Sequence, residues 1–121
     1  MMESLKGNPV AVFLQIGSRM RKFLYRFPRV ETSLPMDFIL GHAVVLGTCL
    51  NLSESGLHGT FTQIILPGTE GLTTVYHGEH SFQIKGRIAS LRGDSMHMHF
   101  CFDSEEQRQA AKAFFKLVAA G

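Results

Sequence analysis

Five of the twelve basic residues, Arg19, Arg21, Lys22, Arg26 and Arg29, fall between positions 19 and 29 with no acid among them. The other basic residues face all ten acids, so a formal net charge of +2 hides a local cationic run on an otherwise acidic chain. Such a run is either a solvated basic linker or one wall of an anion site. A second chemistry-bearing string is Asn51-Leu52-Ser53-Glu54-Ser55-Gly56. Asn51 and Ser53 can bond local backbone or the edge of a ligand, and Gly56 permits positive φ or the close approach of a ligand. Taken alone, the string is also an ordinary turn. A third constellation is Met96-His97-Met98-His99-Phe100-Cys101, in which a strand would bring His97, His99 and Cys101 to one face. Imidazole and thiolate suit a soft metal, but strand residues at i, i+2 and i+4 are too spread out to close around one ion unaided. His42, His58, His77 and His80 show no ligand spacing, so His97 and His99 read as residues of a wet face and no metal is expected. There is no GxSxG, no HExxH and no glycine-rich phosphate loop leading into a helix and lysine, so the chain does not read as an enzyme.

The elements that must position these residues are mostly strands. Short β-type runs separated by turn signals occupy Val30 to Leu40, Ala43 to Leu50, Gly59 to Leu66, Leu72 to Tyr76, Ser81 to Leu91 and Met96 to Phe102. The breaks between them are Gly41-His42, Ser53 to Gly56, Pro67-Gly68, His77-Gly78 and Gly93-Asp94. Phe82, Ile84, Gly86 and Ile88 alternate with Gln83, Lys85 and Arg87, the period of a strand with one wet face. The period then changes. Ser104 can cap a helix with Gln107 at its third position, and Ala111, Phe114, Phe115 and Val118 form an apolar stripe able to pack on the sheet or close an end of a barrel. Ahead of the strands, Asn8-Pro9 could open a helix whose face carries Val10, Phe13, Leu14, Gly17 and Met20, although Val10 to Ile16 fits a strand equally. These early apolar residues need a partner surface, on the domain itself or on a second copy in a homo-oligomer.

With 121 residues, 45% of them hydrophobic and 18% charged, the chain has the size and composition of one domain. No apolar run approaches the roughly 20 residues needed to span a bilayer. The N-terminus lacks the apolar core and cleavage site of a secretory signal, which leads to the expectation of a cytoplasmic protein without a membrane span. The two cysteines, Cys49 and Cys101, lie in apolar stretches and read as buried thiols.

The segment Tyr25-Arg26-Phe27-Pro28-Arg29-Val30, then a strand, then NLSESG, further strands and a closing SEEQRQAAKAFF helix resembles the PilZ domain family. The resemblance covers roughly residues 21–121, leaving 1–20 as an N-terminal extension. It implies an all-β fold with a C-terminal helix, a six-stranded antiparallel β-barrel in agreement with the strand count. Many members bind cyclic di-GMP, a bacterial second messenger, through an RxxxR segment before the first strand and a (D/N)xSxxG motif. NLSESG places Asn51, Ser53 and Gly56 at the defining positions of the second motif. In the first motif Arg29 takes the second arginine position, the first falls on Tyr25, and Arg26 is its neighbour; the other frame sets Lys22 with Arg26. The function implied is that of a cyclic di-GMP receptor or adaptor that changes its contacts with an effector protein, with Tyr25, Arg26, Arg29, Asn51, Ser53 and Gly56 as ligand-binding residues. No cofactor, DNA or RNA is implied. The alternative is a nucleotide-independent adaptor acting only through protein contacts.

Overall fold

The computed structural model describes residues 28–121. Six strands and one helix follow in chain order: β1 (Arg29–Leu40), β2 (Ala43–Ser53), β3 (Gly56–Phe61), β4 (Glu70–His77), β5 (His80–Arg92), β6 (Ser95–Cys101) and α1 (Glu105–Ala119). Every strand pair is antiparallel. Neighbours run β1-β2-β3-β6-β5-β4, and β4 returns to β1 to close a barrel without free edges. The expected six-stranded barrel with a C-terminal helix is therefore the fold of the chain. Glycines with φ near 60° sit at three hairpin tips, Gly41, Gly78 and Gly93, where a side chain would strain the turn.

Alternation decides which side chains enter the barrel. On β5, Phe82, Ile84 and Ile88 are buried while Gln83, Lys85 and Arg87 are exposed. Phe38, Met36, Leu52, Met98 and Val75 complete the centre of the core. The helix adds Ala111, Phe114 and Val118 to the same cluster. Phe114 stacks on Phe82, with ring centroids 5.5 Å apart at 20°, so α1 is fixed to the barrel by aromatic packing. Its start follows the expected cap: the Gln107 amide donates to Ser104 Oγ at 3.2 Å. The reciprocal bond reaches one residue further back than a standard capping box, from the Asp103 amide to Gln107 Oε1 at 2.6 Å.

The boundaries of β2 and β3 differ most from the sequence-based expectation. β2 continues through Asn51 and Leu52 to Ser53 because these residues pair with Glu31, Val30 and Arg29 of β1. β3 begins at Gly56 rather than Gly59 and stops at Phe61 rather than Leu66. Its other neighbour, β6, starts only at Ser95, which pairs with Thr60, so residues past Phe61 have no strand on that side. Within the resulting loop Ile65 is buried, whereas Ile64 and Leu66 are exposed. Cys49 is buried as expected, but Cys101 is only half-buried. The expected helix or strand within residues 1–20, and any pairing through it, lies outside the described residues. Among the described residues no helix is long and apolar enough to cross a membrane.

Candidate functional site

The β2–β3 hairpin is organised by one hydroxyl. Ser53 Oγ accepts from the amides of Ser55 and Gly56, each at 3.2 Å, and lies 3.2 Å from the Gly56 carbonyl, to which it can donate. Ser53 is thus first a turn-forming residue. Gly56 is not among the residues with positive φ, so the first of the two roles open to it, a left-handed turn, does not apply. A β-carbon there would instead collide with the Met98 carbonyl and sit 3.4 Å from His99 Cα. The backbone that approaches Gly56 closely is that of β6.

Across β2 from this hairpin, Arg29 pairs with Ser53 and Glu31 with Asn51. Residues directly opposite on antiparallel strands have Cβ atoms about 5 Å apart, so the first residue of β1 stands against the motif. A register shift in β2 between Cys49 and Asn51 lets Cys49 face the core while Asn51 pairs with His58. The β3–β6 register then sets His58 against His97, their rings packed edge to face with centroids 5.1 Å apart at 61°. Together these residues line a recess of about 230 Å³, whose walls include Arg29, Asn51, Ser53, Gly56, His58, His97 and His99. No Asp or Glu of the described residues lines it. Arg29 is exposed and forms no ion pair among the described residues.

Four of the six expected site residues are brought together here although they come from two segments; Tyr25 and Arg26 lie outside the described residues. His58 was missed. Spacing along the chain gave it no partner, and only the β3–β6 pairing puts it beside His97. His99 is exposed and His97 half-buried, so both stand on the outer face, as a wet strand face requires. Among the described residues no three His, Cys, Asp or Glu side chains are grouped to hold a metal.

A family model described as the PilZ domain matches residues 24–117, most of the chain. The chain belongs to the PilZ domain family. Among solved structures, the PilZ domain of CeSA from a cellulose-synthesizing bacterium superposes with a TM-score of 0.66 at 14% identity, covering 76% of this chain and 98% of that one. YcgR from Escherichia coli, solved in complex with c-di-GMP, gives 0.63 at 17% identity, covering 79% of this chain and 46% of the other. The Bacillus subtilis inhibitor of motility, MotI/DgrA, gives 0.60 at 10%, covering 79% and 51%. At these identities the likeness is one of fold. A comparison with curated proteins found no match. In this PilZ domain the (D/N)xSxxG motif occupies the β2–β3 hairpin, and the last arginine of the basic run opens β1.

Proposed function

We propose that this PilZ domain is a non-catalytic receptor or adaptor for cyclic di-GMP, with Tyr25, Arg26 and Arg29 as ligand-binding residues alongside Asn51, Ser53 and Gly56. The observation that carries the reading is the β1–β2 register, which pairs Arg29 with Ser53 of the motif, both of them lining a recess with no described acid. The ligand has two phosphates and two guanines. A guanidinium can take a phosphate or the O6/N7 edge of guanine through paired hydrogen bonds, and the Asn51 amide offers both a donor and an acceptor. Ser53 holds the hairpin in shape, and Gly56 lets β6 close against it. Contact between the basic segment and the nucleotide would change what the N-terminal region presents to an effector protein, which makes the domain a cytoplasmic switch without a cofactor. YcgR, solved with the same nucleotide, supports the choice of ligand. Calorimetric titration of the full chain with cyclic di-GMP tests it. Saturable binding weakened by Arg29→Ala is expected, whereas a wild-type chain that does not bind would leave the nucleotide-independent adaptor as the function.

A further inference from the structure

The motif recess, at about 230 Å³, is smaller than the ~300–1,000 Å³ that ligand sites of this kind occupy. A second recess of about 490 Å³ adjoins it, sharing Arg29, His58 and His97 as walls and adding Ser90, Arg92 and Ser95. Arg92 reaches this face because of a register shift in β5. Ile88 pairs with Met98, both buried, but Ser90 rather than Ala89 pairs with His97, so one residue is extra and the alternation resets. Without that bulge Arg92 would point into the barrel. With it, Arg92 pairs with Ser95 on the outer face, two residues along the strand from the pair Ser90 and His97. The β2 register shift brings Asn51 against His58 from the other side. Two bulges therefore flank the same histidine pair, and bulges that re-aim side chains concentrate beside functional sites. Neither recess is lined by a described acid: Glu31, opposite Asn51, and Asp94, in the β5–β6 turn, line neither of them.

Resting on the cyclic di-GMP reading above, we propose that the nucleotide site extends from the motif across the His58–His97 pair to Arg92, whose guanidinium takes the second phosphate. Arg29 and Arg92 then hold the two phosphates on opposite sides of the ligand's macrocycle, and the paired imidazoles form the floor beneath it. Arg87, exposed on the same strand but lining neither recess, is the internal control for net charge.

The test is titration of the full chain, and of its Arg92→Ala, Arg92→Lys and Arg87→Ala variants, with cyclic di-GMP at low and physiological salt. Thermal melting of each variant monitors folding. Arg92→Ala is expected to weaken binding about tenfold or more and to flatten its salt dependence. Arg92→Lys should recover part of the loss, and Arg87→Ala should stay within about twofold of wild type at physiological salt. Equal losses for Arg92→Ala and Arg87→Ala, or an Arg92→Ala affinity within twofold of wild type, would overturn the extension and leave the receptor reading standing. A wild-type chain that does not bind the nucleotide would overturn both.

Discussion

Arg29 stands opposite Ser53 in the β1–β2 register, so Arg29→Ala removes the guanidinium of the described arginine paired with the motif. The substitution should weaken cyclic di-GMP binding by about 1.5–3 kcal/mol, the range for a hydrogen bond to a charged group, with little change in melting temperature because Arg29 is exposed. Ser53→Ala should behave the other way round. Its oxygen serves the hairpin amides, so the loss should appear mainly as a lower melting temperature and only secondarily in affinity. Tyr25→Arg restores the family's first arginine and should tighten binding, with a gain that shrinks as salt shortens the Debye length to about 8 Å. A gain equal at every salt concentration would point to stacking on a base instead. Cys49 supplies a pH-dependent readout of the core: burial pushes its thiol from 9.0 up to about 12. The folded state therefore favours the neutral thiol. Its contribution to stability is whole below pH 9 and declines as pH rises from 9 towards 12, a slope that Cys49→Ala should reduce in thermal melts. At this scale Arg29, Asn51, Ser53 and Gly56 were legible from residue type and motif. His58 was not, because its significance comes from a cross-strand neighbour.

Among the elements, β3 depends on glycine for a reason different from the one its turn-like sequence suggests. A methyl group at Gly56 meets the Met98 carbonyl, which belongs to paired backbone, whereas one at Gly86 meets the Met98 thioether. Backbone must shift in the first case and a flexible side chain in the second. Gly56→Ala is therefore expected to destabilise by about 1–3 kcal/mol, the usual cost of overpacking, and Gly86→Ala by less, measured by denaturant unfolding. Loss of the cap in Ser104→Ala should cost about 1 kcal/mol. These contrasts also explain where sequence reading worked. The alternation of β5 and the cap of α1 are local signals that the fold keeps. The stretch after Phe61 reads as strand because it is apolar, yet it forms a loop because β6 has no residue left to pair with it; strand length here is set by a neighbour distant in sequence.

For the molecule as a whole, closure of the barrel is what makes a site from scattered parts. The β1–β4 pairing removes the edges, and the β3–β6 pairing carries the motif hairpin to the histidines. Strand number and the C-terminal helix could be counted along the chain, but these two long-range pairings could not, since no local pattern encodes which strand lies beside which. The barrel also separates two surfaces. Val44 and Leu46 are exposed near the β1–β2 tip, far along the strands from Arg29 and the motif. Mapping backbone amide shifts by NMR while cyclic di-GMP is added to the full chain distinguishes the two directly. Saturable shifts concentrated at Arg29, at residues 51–58 and at His97 to His99 are the predicted result. No shifts at saturating nucleotide, or shifts confined to the β1–β2 tip around Val44 and Leu46, would contradict it.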